Sequence, residues 1–334
     1  MSELCLGAMT FGEESGAGAP ESVSRQLYER YRELGGNFVD TANIYNAGTS
    51  ERMVGKFIAS ERDKIVLATK YSMSTDHADP NAGGNSRKNL VQALDASLQR
   101  LNTDYVDLYW VHGWDQLTRI DEVMRALDDM VRQGKILHVG VSNMPAWLIS
   151  QANTLANERG LTPFTAVQMH YNLVERSIET DFFDLCAAQD MAVLSWSPLA
   201  GGLLTGKFND GAGDDTADSR LAKAEYGPAM LAEARLAIAR GVGEMAATLG
   251  CTAAQLALAW VRQRPGCSVI PMLGARTLAQ LDDNLGCLGV ELTDEQISQL
   301  DALSPVPVTY PASLFKTPFF RRMMHGEHPL TGSD

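Results

Sequence analysis

Short apolar runs recur along the chain and predict buried strands. They lie at residues 4–7, 37–40, 64–70, 105–111, 136–141, 166–169, 191–196 and 267–270. Most are nearly continuous in apolar residues rather than alternating, which is typical of parallel strands that helical crossovers cover on both faces. The pattern therefore predicts eight parallel strands with helices between them.

Segments with helical periodicity separate these runs. In residues 119–134, apolar side chains recur every three or four positions from Ile120 to Val131, and Gly134 stands at a typical helix end. A similar pattern spans residues 86–101, with Ser86 as a candidate N-cap. Further helices are predicted near residues 21–34, 49–59, 145–158, 178–189, 252–264 and 277–287.

This alternation of strand and helix predicts an α/β protein, a (β/α)8 TIM barrel built as a single domain. The number of strands favours the barrel over an open doubly wound sheet. We expect the barrel to occupy residues 1–310 and an irregular C-terminal tail to occupy residues 311–334. The longest irregular segment, residues 197–220 after the seventh strand, is a candidate functional loop because ordinary connections are much shorter.

Composition excludes several classes of partner and site. The chain of 334 residues carries 28 Lys and Arg against 41 Asp and Glu, so nucleic acid and anionic membranes are disfavoured as partners. No membrane span or secretory signal is visible, which predicts a cytoplasmic location. The five cysteines are widely spread without a C-x-x-C pair, which predicts free thiols and no metal site.

Polar residues at strand ends are the candidates for chemistry, because barrel enzymes act at the C-terminal rim of their strands. The second predicted strand ends in Asp40, the third in Lys70 and the fourth in His112, and Tyr45 follows Asp40 by five residues. Taken singly, these could be a rim ion pair, a packed tyrosine and a core histidine. A phenol, however, is a weak acid that a neighbouring ammonium strengthens.

Together the four side chains suit the protonation of a carbonyl oxygen. Tyr45 would donate the proton, Lys70 would stabilise the resulting phenolate, and Asp40 would hold Lys70, while His112 would donate a hydrogen bond to the same oxygen. No side chain can supply the hydride that carbonyl reduction requires. The residues therefore imply a nicotinamide cofactor.

These residues resemble the catalytic tetrad of the aldo-keto reductases. GGNFVDTANIY, ATK and YWVHGWD contain them in the order that the family uses. DTANIYNAGTSE, DPNAGGNSRKNL and SPLAGGLLTGK are most similar to the branch with aryl-alcohol dehydrogenase-like and potassium-channel β-subunit-like members. The resemblance implies an NADP(H)-linked oxidoreductase on a (β/α)8 barrel, with the loop after the seventh strand clamping the cofactor.

The resemblance also implies a set of cofactor contacts. These are the carboxamide ligands Ser142, Asn143 and Gln168, the ring-stacking Trp196, the pyrophosphate-binding residues Ser197, Leu199, Gly201, Leu203, Lys207 and Arg220, and the adenosine phosphate residues Gly274, Arg276, Gln280, Asp283 and Asn284. An arginine can bind a 2′-phosphate through two hydrogen bonds. Arg276 therefore favours NADP(H), with NAD(H) as the less favoured cofactor.

The resulting hypothesis is an NADPH-dependent reductase of aldehydes or ketones that also runs in reverse. Its partner is a small carbonyl or alcohol substrate, and monomer or homo-oligomer is left open. One alternative is an NAD(P)+-dependent dehydrogenase that oxidises a sugar, a polyol or a hydroxylated natural product. Others are a cofactor-sensing binding subunit with slow turnover and a Schiff-base aldolase that uses Lys70 as its nucleophile.

Overall fold

A closed barrel of eight parallel strands forms the centre of the protein, in a computed structural model that describes residues 1–16, 18–209, 221, 227–315 and 317–326. The strands neighbour one another in chain order, and the eighth pairs with the first. They are β1 Cys5–Gly7, β2 Phe38–Asp40, β3 Val66–Tyr71, β4 Val106–Val111, β5 Ile136–Ser142, β6 Phe164–His170, β7 Ala192–Trp196 and β8 Val269–Leu273. The predicted (β/α)8 barrel is confirmed.

Helices cover the outside of the barrel and connect its strands. In the described ranges they are α1 Glu21–Glu33, α2 Thr49–Ile58, α3 Arg87–Leu101, α4 Ile120–Arg132, α5 Ala146–Arg159, α6 Phe182–Ala188, α7 Gly227–Met230, α8 Glu233–Leu249, α9 Ala253–Arg262, α10 Leu278–Leu285, α11 Asp294–Leu303, α12 Ala312–Phe315 and α13 Pro318–His325. Ser86 caps α3 as predicted, because its side chain accepts a hydrogen bond from the Asn89 N–H.

The chain after residue 310 is not irregular throughout, which corrects the expectation for the tail. Helix α13 begins after Thr317, whose side chain accepts a hydrogen bond from the Phe320 N–H over 3.1 Å. Pro318 occupies the first helical position, where its fixed φ favours the helix and its missing N–H costs nothing. A Thr-Pro pair is a helix start signal, and it was visible in the sequence.

The interior of the barrel is filled by side chains that point inward from the strands in successive layers. These inner layers comprise Cys5, Phe38, Ala68, Leu108, Trp110, Ala166, Leu194 and Ile270. On β5, Gly140 makes room for Trp110, because a Cβ at this position would lie 2.4 Å from the indole ring. Because these layers are packed, the space for chemistry lies above them, at the end of the barrel where the strands finish.

The connection between β7 and β8 is the longest in the fold. It starts with a turn over Ala200–Thr205 in which Gly201 and Gly202 have φ of 67° and 95°, values that glycine adopts readily. Residues 210–220 and 222–226, and with them Arg220, lie outside the described residues. In the described ranges, no single helix is long and apolar enough to cross a bilayer; α8 and α9 pass that test only jointly and are bent by 96°.

Candidate active site

Neighbouring strands deliver polar side chains to the C-terminal mouth of the barrel. Side chains two residues apart on a strand point to the same face. Asp40 therefore stands directly above Phe38 of the inner layers, and Lys70 stands above Ala68. His112, one residue past the end of β4, continues the inward series that Trp110 begins.

Asp40 and Lys70 form a fully buried ion pair. The Lys70 ammonium donates hydrogen bonds to an Asp40 carboxylate oxygen and, over 2.7 Å, to the Thr41 carbonyl oxygen. Burial by itself lowers the pKa of Lys70, but the adjoining Asp40 and Tyr45 hold that pKa above its ordinary value. The ammonium is therefore charged at neutral pH.

Tyr45 lies with its hydroxyl against this ammonium. The Lys70 Nζ donates a hydrogen bond to the Tyr45 Oη over 3.1 Å. The next residue, Asn46, has a left-handed backbone with φ of 47°, and its side-chain amide donates to the carbonyl oxygens of Met9 and Phe11 over 3.1 and 2.9 Å. These bonds tie the turn that carries Tyr45 to the loop after β1.

His112 completes the group from the β4 side. Its ring meets the Tyr45 ring edge-on, with 5.9 Å between centroids and an interplanar angle of 85°. Burial, reinforced by the Lys70 charge, lowers the pKa of His112 to about 3, so the imidazole is neutral. A neutral imidazole carries one N–H, and it can donate one hydrogen bond to a carbonyl oxygen.

The residues expected to bind the carboxamide lie beside the ion pair on β5 and β6. Ser142 Oγ donates to the Gln168 carbonyl oxygen over 2.7 Å, and Asn143 donates to the His112 carbonyl oxygen over 2.9 Å. The Gln168 side-chain amide donates to the Asp40 carboxylate over 3.0 Å. This last bond was not predicted, because nothing along the chain indicates that β2 and β6 face each other across the barrel.

Trp196, at the end of β7, stacks on a residue that the sequence analysis missed. Its ring and that of His170 lie 4.2 Å apart at an angle of 8°. A signal for His170 was available: it follows Gln168 by two residues, one residue beyond the strand predicted at 166–169, so a strand continued by one residue would point it the same way.

The phosphate-binding candidates gather after β7 and β8. Partial burial, and after it the charge of Arg276, lowers the pKa of Lys207. Gln280 accepts a hydrogen bond from the Arg276 backbone N–H over 2.9 Å. The remaining candidates of this rim are Ser197, Leu199, Gly201 and Leu203 after β7 and Gly274 after β8.

Three of these candidates are already engaged within the protein. The Leu203 side chain is fully buried, which leaves its backbone for a ligand. An Asp283 carboxylate oxygen accepts hydrogen bonds from Thr252 and Gln255 at the start of α9, over 2.9 and 3.0 Å. Asn284 donates to the Gly274 carbonyl oxygen over 3.4 Å.

Comparison with known proteins identifies the family. The model of the aldo/keto reductase family matches residues 3–305, which include all eight strands and the four residues at the mouth. The chain belongs to the aldo/keto reductase family. Like its relatives in this family, it is an oxidoreductase.

Individual relatives agree with this membership. A norsolorinic acid reductase of Aspergillus flavus is 37% identical over 329 residues, 95% of this chain and 82% of the relative. An aryl-alcohol dehydrogenase of Pestalotiopsis microspora is 34% identical over 310 residues, 90% and 78% of the two chains. An NADP(+) aryl-alcohol dehydrogenase of Phanerodontia chrysosporium is 32% identical over 337 residues, 94% and 86% of the two chains.

The mouth of this aldo/keto reductase fits a nicotinamide dinucleotide. Family members typically use such a cofactor, and two buried nitrogens here, His112 Nδ1 and Trp196 Nε1, have no hydrogen-bond partner among the described residues. Both nitrogens belong to candidate site residues at the mouth, where a bound ligand could accept their hydrogen bonds. The cations Lys207 and Arg276 suit its phosphates. In the described part of the chain, no cluster of His, Cys, Asp and Glu could hold a metal ion.

Proposed function

We propose that the protein is an NADPH-dependent reductase of aldehydes and ketones in which Tyr45 is the proton donor. The observation that carries this proposal is the 3.1 Å contact between Lys70 Nζ and Tyr45 Oη, made by an ammonium that a buried Asp40 keeps in place. When bound, the cofactor supplies the hydride to the carbonyl carbon. The chain itself orients the carbonyl and protonates its oxygen.

Each member of the tetrad has one part in this step. Tyr45 Oη gives its proton to the carbonyl oxygen as that oxygen gains the electron pair of the C=O bond. The Lys70 ammonium stabilises the phenolate that remains, and Asp40 holds the ammonium within reach. His112, which is neutral, donates a hydrogen bond to the same oxygen without adding a second positive charge to the site.

We expect NADP(H) rather than NAD(H). Support comes from the two cations that follow β7 and β8, Lys207 and Arg276, of which Arg276 contributes to lowering the pKa of Lys207, and from a relative named for NADP(+). Ser142, Asn143 and Gln168 would hold the carboxamide, and Trp196 would stack on the ring. The 2′-phosphate would lie against Arg276, whose planar guanidinium matches a phosphate in geometry.

An aromatic substrate is the first class to test, in either direction. Two of the relatives described above are named for aryl alcohols, and an aromatic pair, half-buried Trp114 and exposed Trp147, follows β4 and β5 on the far side of the mouth from Arg276. In this pair the rings of Trp114 and Trp147 meet edge-on at 6.1 Å, and Trp147 is 62% exposed. The relatives' names also favour alcohol oxidation as a second candidate activity.

The Schiff-base alternative is disfavoured by the state of Lys70. A lysine nucleophile must be neutral, whereas Asp40 and Tyr45 raise the pKa of Lys70 above its ordinary value. The binding-subunit alternative differs from the enzyme in rate rather than in geometry. Turnover measurements therefore separate these two.

The test is NADPH consumption with a panel of aromatic aldehydes and ketones, run in reverse with NADP+ and aryl alcohols, sugars and polyols. Tyr45→Phe should lower the rate by about a hundredfold or more, because a general acid contributes roughly 10²–10⁴. Its affinity for NADPH should stay unchanged. Tyr105→Phe is the matched control, because that ring lies under Arg62 at the start of β4.

Two results would overturn the proposal. If Tyr45→Phe keeps a rate within a few-fold of the native protein, Tyr45 is not the acid. If the native protein binds NADPH but turns over no member of the panel in either direction, the binding-subunit alternative holds.

A further inference from the structure

We propose that His170 is a positioning residue that sets the plane of the Trp196 ring, and that it thereby prepares the surface on which the nicotinamide stacks. The inference rests on the proposed binding of a nicotinamide cofactor at Trp196. It concerns a residue outside the tetrad and outside the contacts that the family resemblance implies.

The barrel places these two rings side by side at the mouth. His170 and Trp196 are direct partners in the pairing of β6 with β7, so their side chains leave the sheet next to each other. Gln168, two residues before His170, reaches across the barrel interior to Asp40. His170 and Trp196 therefore point inward too, one layer above Gln168, at the height of the proposed cofactor ring.

A buried asparagine fixes the His170 ring and its tautomer. Asn172 is fully buried, and its Oδ1 accepts a hydrogen bond from the Val174 N–H over 2.9 Å, which defines which end of the amide is the donor. The Asn172 Nδ2 is then the donor to His170 Nε2, over 3.2 Å. In the neutral imidazole, Nε2 accepts this bond and the proton sits on Nδ1.

The same asparagine holds the backbone next to Trp196. Its Nδ2 also donates to the Ser197 carbonyl oxygen over 3.0 Å. Ser197 has φ of 57°, an uncommon value for a residue with a side chain, so this bond stabilises a turn that would otherwise be strained. Through its Nδ2, Asn172 therefore holds both the His170 ring and the backbone that follows Trp196.

The indole of Trp196 is not held by a hydrogen bond of its own within the described residues. Its Nε1 is buried without a partner there, so the ring plane depends on packing. The charged groups around His170 are Glu175 and Arg235, and burial, with Arg235, lowers the pKa of the imidazole. His170 is thus neutral at pH 7 and packs as a flat aromatic ring at 4.2 Å from the indole.

The experiment measures NADPH affinity in His170→Ala, His170→Phe and the control His138→Ala. His138 also lies on a barrel strand, but its side chain is exposed on β5. His170→Ala should weaken NADPH binding by roughly three- to tenfold, the range of one lost aromatic stack. His170→Phe should recover most of that loss, and His138→Ala should bind as the native protein does.

A second ligand distinguishes a role of His170 in positioning the Trp196 ring from a general loss of structure in the variant. The fragment 2′,5′-ADP contains the adenosine phosphates but no nicotinamide, so His170→Ala should bind it with native affinity. The KM for NADPH should rise in this variant more than kcat falls, because the tetrad is untouched.

Several outcomes would overturn the inference. Equal loss for NADPH and for the fragment would mean a structural role only, and native NADPH affinity in His170→Ala would mean no role. Tighter binding would mean that His170 occupies the place of the nicotinamide. If the native protein fails to bind NADPH, it is the proposed function that fails.

Discussion

The two sides of the barrel mouth differ in whether their charged side chains are buried and paired. On the β2–β4 side, Asp40 and Lys70 are completely buried and bonded to each other. On the β7–β8 side, Lys207 is exposed and Arg276 is half-buried, and no carboxylate of the described residues forms an ion pair with either. Among the described residues, Lys70 therefore has its anionic partner in the folded chain, whereas Lys207 and Arg276 have none.

Burial explains the difference. An ionised group removed from water must find its partner when the chain folds, so the arrangement of Asp40 and Lys70 is part of the folded structure. Cations that keep part of their side chain in solvent, as Lys207 and Arg276 do, remain partly hydrated, and salt screens their mutual repulsion. The arrangement of Lys207 and Arg276 therefore matters for binding an anionic ligand rather than for folding. Replacing Lys70 and Lys207 in separate variants tests the comparison. The preference for NADP+ over NAD+ and the pH dependence of the free energy of unfolding sharpen it.

The largest effect is expected for Lys70→Met. It leaves the Asp40 carboxylate buried without its cation, which should cost about 3–5 kcal/mol in the free energy of unfolding and remove activity. Lys207→Met, on the other side of the mouth, should change that free energy by about 0.5 kcal/mol or less, as surface substitutions do. Urea denaturation of both variants provides the measurement, and equal losses would refute the contrast.

A smaller effect is expected for Arg276→Ala. Removing a charge-assisted hydrogen bond to the 2′-phosphate should weaken NADP+ binding by about 10- to 100-fold, since such bonds contribute roughly 1.5–3 kcal/mol. NAD+ binding should stay as it is, because NAD+ has no phosphate there. Calorimetric titration with both cofactors measures the preference. The control is Arg119→Ala, whose side chain is 82% exposed beside Asp121; a parallel loss of both cofactors in Arg276→Ala would argue against the assignment.

The smallest effect concerns the neutral His112. The pKa of His112 is about 3 in the folded protein, below the value of about 6.5 in an unfolded chain. Between these values the unfolded chain binds a proton that the folded protein does not, so stability is full above pH 6.5 and falls as the pH drops below it. Between pH 7 and 5.5 this amounts to about 1 kcal/mol.

The change is measured against His112→Asn, which removes the titrating ring. Urea unfolding at pH 7 and 5.5 should show that the native protein loses about 1 kcal/mol more than this variant over that interval. His138→Asn, at an exposed position, should keep the native pH dependence. Identical losses in the native protein and His112→Asn would show that the folded His112 is not held neutral.

Much of the candidate site was predictable because its chemistry is concentrated at strand ends. An apolar run that ends in Asp40 or Lys70 predicts both a strand and the position of its C-terminal end at the barrel mouth. The positions of Ser142 and Trp196 followed from the family resemblance and its short motifs. Helix α13 could have been predicted from Thr317 and Pro318, the N-cap and the first helical residue.

The contacts across the barrel could not be predicted in this way. The bond from Gln168 to Asp40 joins residues 128 positions apart, and the stack of His170 on Trp196 depends on the register of β6 against β7. Strands that are apolar on both faces carry little information on register, because the alternation that marks an inner face is missing. The role of Asn172 could not be predicted either, since it depends on the His170 ring and the Ser197 carbonyl oxygen that its amide contacts in the folded chain.

The amino-acid order by itself determined the eight strands, the barrel and the four polar side chains that lie at its mouth, because these depend on local periodicity and on where polar residues interrupt it. Only the closed barrel decided which side chains meet, since closure brings β2, β3 and β6 around one axis and sets each strand's height against the next. Distance, burial and the protonation of Lys70 and His112 follow from that closure.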